Sequence, residues 1–385
     1  MDTKILLDID SAVEHFRTLL IEQYERNDSI ANDNAAGQDK TGATVIGLVP
    51  GDGIGPVIMD ETREVLKCLL DDEIAGGKIE LRDIKGFTLE ERLAKGKTVP
   101  DDVLDQLETC DAILKGPTTT PSAAMGGPNL ESANVFLRKK LDLFANVRPV
   151  RVPEEGIDWT FFRENTEGEY ALGSKGVRIG DELAVDFKVT TNAGTRRIAR
   201  ATYEYARANG KSRVSIVTKA NIMKKTDGDF QSICLEVARD YPEIETDTWY
   251  IDIMAANLVN KDIRKQFQVF VLPNLYGDII TDEAAQIQGG VGTAGSANIG
   301  SKYAIFEAIH GSAPRMVEEG IAHLANPASL MTASVLMLRH IGLEDKAARL
   351  EHAIEFANSE LGTKMTGIAG GATCKAYGSM VRNIL

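Results

Sequence analysis

The sequence predicts an α/β protein, because short apolar runs alternate with longer amphipathic segments along most of the chain. Apolar runs typical of buried strands occur at 43–50, 111–114, 213–217 and 267–272. Segments with helical periodicity separate them, and the first follows directly on the turn-forming sequence GDGIGP at 51–56. This alternation indicates an α/β architecture.

Two segments depart from the alternation. Residues 9–26 carry apolar side chains at helical spacing, with Ser11 as the predicted N-cap, and residues 27–42 are small and polar, as in a linker. We expect these first 42 residues to form a surface appendage, and packing of the helix on the main body or on a partner is the alternative. The Gly-rich segment 170–200 alternates polar and apolar residues, which predicts antiparallel strands or an arm.

Composition narrows the class of protein. The 385 residues suit two to three domains, and a net charge of −14 disfavours nucleic-acid and anionic-membrane binding. No apolar run approaches the roughly 18 residues that span a bilayer. The four cysteines are scattered without CxxC spacing, which indicates neither a zinc site nor a disulfide framework. The acidic N-terminus argues against a transit peptide, so we predict a cytoplasmic protein.

Two acidic side chains are candidates for metal binding. Asp278 and Asp282 lie four residues apart after the apolar run 267–272. If a helix begins there, both carboxylates project from one face and can share a divalent cation. The alternative is a solvated helix face, but the end of a strand is where α/β proteins bind ligands.

Basic residues embedded among apolar ones indicate an anionic substrate. Arg138, Arg148 and Arg163 have this setting, and a guanidinium matches a carboxylate in bidentate geometry. Lys219 ends an apolar run and is either a base or a surface residue. The alternative for each arginine is an ordinary salt bridge.

The glycines of GDGIGP at 51–56 have two interpretations. They resemble a dinucleotide fingerprint, but the full GxGxxG spacing and its downstream acidic residue are missing, so a tight strand-to-helix turn stays open. A phosphate-binding transferase is disfavoured, because the chain has no GxxxxGK[ST] element.

Taken in order, seven motifs resemble the isocitrate and isopropylmalate dehydrogenase family of β-decarboxylating dehydrogenases. The resemblance covers about residue 44 to the C-terminus. The motifs are GDGIGP, KGPTTTP (115–121), NVFLRKKLDLFANVRP (134–149), FRENTEGEY (162–170), TKANIMK (218–224), NLYGDIITD (274–282) and FEAIHGSAP (306–314).

The resemblance implies a two-domain α/β fold and a homodimer with shared active sites. It places an extension and linker at 1–42, a large cofactor-binding domain at 43–143 and 290–385, and a smaller α/β domain at 144–289. The smaller domain would carry the metal and catalytic residues and a β-arm at the dimer interface.

The resemblance also implies roles for individual residues. Asp278 and Asp282 of one subunit would bind Mg²⁺ or Mn²⁺ together with Asp252 of the partner subunit. Lys219 would take the proton of the substrate hydroxyl, and Tyr170 would protonate the enolate left by decarboxylation. A polycarboxylate substrate would be bound by Ser132, Asn134, Arg138, Arg148, Arg163 and, across the interface, Asn221.

Substrate choice depends on the stretch before Arg138. Ser132 and Asn134 match the isocitrate enzymes, whereas isopropylmalate enzymes carry apolar residues there. Two features depart from the isocitrate pattern: Glu131 replaces a basic residue, and the loop 122–131 is longer. We therefore predict isocitrate and keep homoisocitrate and 3-isopropylmalate as alternatives.

The resemblance further implies a nicotinamide cofactor. The residues assigned to it are Thr119, Thr120, His310, Gly311, Ser312, Ala313, Arg315 and Asn326. A cation at Arg315, and at Lys364 if it approaches the same place, suits a 2′-phosphate, so we favour NADP over NAD. A rival from another class is a non-catalytic regulatory subunit, which would typically lose the catalytic lysine, tyrosine or metal aspartates that this chain keeps.

Overall fold

The computed structural model of the chain describes residues 3–32, 42–121, 130–172 and 175–385. The chain forms two compact units. Unit 1 contains Phe144–Asn146 and Arg151–Ala284, together with the described part of the first 36 residues. Unit 2 contains the described residues between 37 and 143, the segment Val147–Val150, and Ala285–Leu385. Strand β4 (Ala145–Val152) and helix α11 (Asn274–Gln288) each contribute residues to both units.

The regular elements follow one another in an α/β order. The strands are β1 (Thr44–Val49), β2 (Ile79–Asp83), β3 (Ala112–Lys115), β4 (Ala145–Val152), β5 (Ile157–Glu164), β6 (Val177–Ile179), β7 (Leu183–Val185), β8 (Arg213–Thr218), β9 (Glu245–Tyr250), β10 (Val269–Leu272), β11 (Gly295–Ile299) and β12 (Ala304–Ala308). The helices are α1 (Thr3–Asn32), α2 (Gly55–Leu69), α3 (Asp71–Ala75), α4 (Leu89–Lys95), α5 (Asp101–Glu108), α6 (Ala133–Lys140), α7 (Glu169–Leu172), α8 (Asn192–Ala208), α9 (Thr226–Ala238), α10 (Ile251–Val259), α11 (Asn274–Gln288), α12 (Pro314–Glu318), α13 (Ala328–His340), α14 (Glu344–Leu361) and α15 (Cys374–Ile384). The α/β class predicted from the apolar runs is confirmed.

In unit 2 the strands run in the order β2-β1-β3-β12-β11. The first four strands are parallel to one another, and β11 pairs with β12 in the antiparallel sense. Successive side chains of a strand point to opposite faces. Accordingly, Leu114 packs in a core with α2, α13, α14 and α15, whereas Ile113 packs in a second core with α5 and α6. Helices cover both faces, as a parallel sheet requires.

In unit 1 the strands β5-β10-β8-β9 are all parallel, with Val271 opposite Phe162. Helices α8 and α9 contribute the buried side chains Ile198 and Phe230. Aromatic rings fill the space along β5 and β10: Phe161 stacks on Phe270 with ring centroids 4.3 Å apart. Because the strands are parallel, their carboxyl ends lie at one edge, where the motifs FRENTEGEY, TKANIMK and NLYGDIITD begin.

Helix α1 differs from the prediction. It begins at Thr3 and continues to Asn32, so Ser11 lies inside it and is not an N-cap, and residues 27–32 are helical and not linker. Residues 33–41 lie outside the described part of the chain. The helix packs on unit 1 through Leu19, which is buried against Leu172 and neighbouring residues, while most of its other large apolar side chains are exposed. Most helical stability in proteins comes from tertiary packing, which the local sequence pattern does not contain, so the pattern did not predict the full length of α1.

The Gly-rich middle segment contains the predicted antiparallel pair in shortened form. Strands β6 and β7 form a two-stranded sheet with Val177 opposite Val185, and helices α7 and α8 occupy the ends of the segment. Among the described residues, no helix has the length and apolar character to cross a membrane.

A buried charged cluster lies in unit 2 between β3, β12 and α6. Glu307 accepts hydrogen bonds from Lys115 Nζ (2.9 Å), Asn298 Nδ2 (2.8 Å) and Arg138 Nη2 (3.2 Å). Burial alone would raise the pKa of Glu307, but Lys115 and Arg138 lower this pKa to about 2. The carboxylate is therefore ionised and matched by cations inside the core.

We predict that Glu307→Gln strongly destabilises the protein, because it leaves Lys115 without a counter-charge in the core. Removing one partner of a buried ion pair costs about 3–5 kcal/mol, which denaturant unfolding at pH 7 measures. The folded pKa of Glu307 lies below its unfolded value, so its stabilisation is complete above about pH 5 and is lost as pH falls towards 2. The control is Glu80→Gln, which removes an exposed partner of Arg82. Equal losses in both variants would contradict the prediction.

Candidate active site

The guanidinium of Arg163 lies at the end of β5 in unit 1 and donates hydrogen bonds from all three of its nitrogens. Only 1% of its side chain is exposed. Its Nε and Nη2 donate to Asn274 Oδ1 at 3.0 and 2.6 Å, and its Nη1 donates to Asp278. Tyr170 donates from its hydroxyl to the other oxygen of Asp278 at 2.6 Å, with its ring 5.2 Å from the guanidinium. Arg163, Tyr170 and Asp278, predicted separately, thus lie together.

The local sequence explains this close packing. Strands β5 and β10 are parallel neighbours, so Arg163 and the start of α11 come together at one strand edge. A Cβ on Gly277 would lie 2.6 Å from Arg163 Cγ, which only a glycine avoids. Helix α11 begins at Asn274 and contains Asp278 and Asp282 one turn apart, as the predicted sharing of one face requires.

Lys219 forms a second part of the site, in the turn after β8. Its backbone N–H donates to Asp227 Oδ2 at 2.7 Å, and its Nζ donates to Asp252 at 2.6 Å. That hydrogen bond lowers the pKa of Asp252, which lies in the first turn of α10. Asp227 is fully buried and pairs with Lys188 at 2.7 Å. Asn221 lies exposed in the same turn as Lys219.

The three aspartates predicted to bind metal do not form one cluster in a single chain. Within the described part of the chain, no group of three or more His, Cys, Asp or Glu side chains could hold a metal ion. Asp278 and Asp282 share α11, whereas Asp252 pairs with Lys219. Carboxylate oxygens are the ligands that Mg²⁺ prefers, so the pair on α11 fits such a cation in kind and lacks the third carboxylate.

In unit 2, three motifs meet at Asp52 of GDGIGP. Its carboxylate accepts from Arg92 Nη2 (2.8 Å) and from the backbone N–H groups of Leu89 and Thr119 (both 2.7 Å). The hydroxyl of Thr119 bonds to that of Ser312, in the HGSAP motif, at 2.7 Å. Asp52 therefore fixes the loop after β3 beside the loop after β12.

The glycines of GDGIGP are required by these contacts. Gly51 and Gly53 have φ of +75° and +62°, which L side chains rarely adopt. A Cβ on Gly53 would lie 2.0 Å from Ser312 O, and one on Gly51 would lie 2.1 Å from Pro117 O. The turn interpretation of the motif is therefore correct, and the same turn brings the other two loops within hydrogen-bond distance.

A cavity of about 420 Å³ opens within unit 2 beside the HGSAP loop. Its lining includes His310, Gly311, Ala313 and Asn326, all predicted to bind cofactor. His310 Nε2 is buried without a hydrogen-bond partner among the described residues, and burial lowers the pKa of His310. Ala313 has φ of +45°, an uncommon conformation that is characteristic of functional sites. His310 Nε2 could therefore form a hydrogen bond with a ligand in this cavity.

Four other predicted residues have the following surroundings. Arg315 is 84% exposed and donates to Glu319, and Thr120 is also exposed. Arg148 is buried on β4. Ser132 precedes α6 without capping it.

The substrate stretch around α6 is held by contacts within unit 2. Asn134 accepts from Thr118 Oγ1 at 3.0 Å, and Arg138 pairs with Glu307. Glu131 accepts from Lys139 at 3.2 Å. Most of the preceding loop, 122–129, lies outside the described residues.

Sequence reasoning missed several residues of the two groups. Asn274 begins the NLYGDIITD motif, and Asp52 lies inside GDGIGP, so the motifs themselves contained a signal for both. Met316, Thr366 and Gly367 line the cavity and had no pattern that marked them.

Comparison with known proteins identifies the family of the chain. A sequence model of a dehydrogenase family, isocitrate/isopropylmalate dehydrogenase, matches residues 45–381. The chain is 39% identical to the isocitrate dehydrogenase [NAD] subunit alpha, mitochondrial, of Macaca fascicularis over 87% of its length and 94% of the relative's. It is 40% identical to the isocitrate dehydrogenase [NADP] of Rickettsia prowazekii over 80% of its length, and covers 62% of that relative.

A solved structure gives the same result. The crystal structure of isocitrate dehydrogenase from Methylococcus capsulatus matches with a TM-score of 0.76 and 34% identity, over 89% of this chain and 99% of that one. The fold is that of a dehydrogenase family. The chain belongs to the isocitrate/isopropylmalate dehydrogenase family.

We predict that Gly53→Ala destabilises unit 2 more than Gly77→Ala does. Both residues have positive φ, so both substitutions strain the backbone by about 1 kcal/mol. Only Gly53→Ala also forces the loop of Asp52 away from Ser312, which adds about 1–3 kcal/mol, whereas nothing lies within 4 Å of a Cβ on Gly77. Denaturant unfolding of the two variants measures the difference. A loss for Gly53→Ala no larger than for Gly77→Ala would show that the close approach is unimportant.

Proposed function

We propose that this dehydrogenase oxidises and decarboxylates isocitrate to 2-oxoglutarate, with NADP as the favoured cofactor and Mg²⁺ or Mn²⁺ as the metal. The observation that carries the proposal is the grouping of Arg163, Tyr170 and Asp278 at one strand edge. It combines a carboxylate-binding cation, a proton donor and a hard-metal ligand. The names of the relatives, isocitrate dehydrogenases with either cofactor, support the same reaction.

The chain's own residues would divide the proton chemistry between them. Lys219 would remove the proton of the substrate hydroxyl while the carbon that bears this hydroxyl transfers a hydride to the nicotinamide. Tyr170 would return one proton to the carbon that loses CO₂. The reaction then yields 2-oxoglutarate, CO₂ and reduced cofactor. A metal ion held by Asp278, Asp282 and Asp252 of the partner subunit would supply positive charge that stabilises negative charge on a substrate oxygen.

We propose a homodimer with shared sites, as the family resemblance implies. Lys219 and Asp252 form a pair at 2.6 Å, so they would enter a site together. Large apolar side chains close in sequence to the proposed site residues are exposed, namely Ile222, Ile253 and Ile279. A partner that covered these side chains would remove their apolar surface from water. We infer that they pack on a second copy of the chain.

The cytoplasm stays our proposed compartment. Cys68 is exposed, the other three cysteines are buried, and all four are free thiols, as a reducing environment favours. Several of the relatives are named as mitochondrial proteins.

A substrate panel tests the proposed reaction. Purified protein is assayed with Mn²⁺ and isocitrate, homoisocitrate or 3-isopropylmalate, each with NAD and with NADP. We expect the highest kcat/KM with isocitrate. Turnover of 3-isopropylmalate or homoisocitrate in its place would overturn the substrate, and no turnover with any acid would favour a regulatory subunit.

In the same assay we predict that Lys219→Met lowers kcat by at least about 100-fold, because the hydroxyl proton then has no base, and general-base catalysis contributes about 10²–10⁴-fold. The control is Lys265→Met, which removes an exposed lysine elsewhere in unit 1. Wild-type turnover by Lys219→Met would refute its assignment.

Cofactor choice has its own test at Arg315. We predict that Arg315→Asp shifts the ratio of kcat/KM for NADP over NAD by about tenfold or more towards NAD, since the charge facing a 2′-phosphate is reversed and tenfold corresponds to about 1.4 kcal/mol. The control is Glu319→Gln, which removes the ion-pair partner of Arg315 but keeps the guanidinium. An unchanged ratio in Arg315→Asp would exclude this residue as the selector.

A further inference from the structure

The C-terminal end of helix α1 reaches the loop that follows β5. Arg26 donates from Nη1 to Glu167 Oε1 at 2.7 Å and from Nη2 to Thr166 Oγ1 at 2.8 Å. The next residue, Asn27, accepts from the backbone N–H of Ala193 at the start of α8 at 3.0 Å. The family match begins only at residue 45, so these contacts come from a segment outside the shared fold.

Arg26 supplies positive charge to a buried carboxylate pair. Glu164 and Glu167 are each 2% exposed. Glu164 accepts from the backbone N–H groups of Thr166 (2.9 Å) and Glu167 (2.6 Å), and Glu167 accepts from the N–H of Thr191 (2.8 Å). These bonds hold the loop in one conformation. They also place two carboxylates close together in the interior, which is unfavourable without a cation.

The loop connects directly to the proposed active site. The backbone oxygen of Glu167 accepts from Asn274 Nδ2 at 3.0 Å. The other end of the same amide, Oδ1, accepts from Arg163, whose Nη1 donates to Asp278. Tyr170 lies three residues after Glu167 and donates to the second oxygen of Asp278. A displacement of Glu167 would therefore change both the orientation of Asn274 and the position of Tyr170.

We propose that Arg26 is a positioning residue of the active site, acting through Glu167 to hold the loop that places Arg163 and Tyr170. This inference rests on the proposed function, because those two residues matter there as substrate and proton-transfer groups. The hydrogen bonds of Arg26 described above go to Glu167 and Thr166 of the loop. Its role is to place a positive charge beside the buried Glu167 carboxylate in the geometry that the site needs.

The charges around the pair predict a pH signature. Burial and the neighbouring Glu167 raise the pKa of Glu164 to about 7, and Arg26 lowers it. Other cations near the loop are Arg197, which donates to Thr166 at 3.3 Å, Lys188, which pairs with Glu169 at 3.2 Å, and Arg163, which directly precedes Glu164. Without Arg26 the pKa of Glu164 rises further, so Glu164 keeps its proton up to a higher pH. If the active form needs both carboxylates ionised, the acidic limb of the activity profile moves to higher pH.

The test compares Arg26→Ala, Arg26→Lys and the matched control Arg17→Ala in the full-length chain. Arg17 lies on the same helix, is exposed, and pairs only with Glu14 among the contacts described for it. For each variant, kcat and KM for isocitrate are measured from pH 5.5 to 9, with thermal unfolding alongside. Hydrogen exchange of the peptide 164–172 is measured separately, as a readout that needs no turnover.

For Arg26→Ala we expect kcat/KM to fall about tenfold, the equivalent of one charge-assisted hydrogen bond, and the acidic limb to rise by about one pH unit. Arg26→Lys should recover most of the loss, since an ammonium keeps the charge, and Arg17→Ala should match the wild type. Hydrogen exchange of 164–172 should be faster in Arg26→Ala alone.

Two results would overturn the proposal. One is an Arg26→Ala enzyme with a lower melting temperature but wild-type kcat, KM and pH profile, which would make Arg26 a stabilising residue only. The other is unchanged hydrogen exchange of 164–172. If the wild type turns over none of the acids, the proposed function fails, and the hydrogen exchange still decides whether Arg26 holds the loop.

Discussion

The architecture of unit 1 depends on one buried cation, the guanidinium of Arg163. A charge with 1% exposure is tolerated only when its hydrogen bonds and its counter-charge are supplied nearby. Asn274 and Asp278 supply them from the first two turns of α11, which must therefore begin directly after β10. Gly277 is needed because any side chain there would collide with the arginine. The fold and the candidate site thus share one constraint.

The same requirement, that buried charge be matched, organises the rest of the molecule. In unit 2, Asp52 joins three loops through Arg92 and two backbone N–H groups, and Glu307 is matched by Lys115. In unit 1, Arg26 of the N-terminal helix matches Glu167. Each of these groups stands at or beside the carboxyl end of a parallel strand. The proposed ligand-binding residues are therefore fixed by the interactions that also stabilise the fold.

The sequence was sufficient to predict the fold class and to single out Arg163, Tyr170 and Asp278, which meet in space, since strand ends and motif order indicate which loops converge. Asp278 and Asp282 fell on one helix as expected. It was insufficient for α1, because the contact between Arg26 and Glu167 joins residues 141 positions apart and follows no local periodicity. It was equally insufficient for Met316 and Gly367, whose place on the cavity wall depends on how distant segments pack.

If the proposed function is correct, Asp278, which is held beside Arg163, binds a divalent metal together with Asp282. Anomalous scattering from crystals grown with Mn²⁺ is the decisive measurement. We expect one strong peak about 2 Å from oxygens of Asp278 and Asp282, completed by Asp252 of the partner subunit. Ordered crystals with bound manganese elsewhere, and none between these side chains, would contradict it.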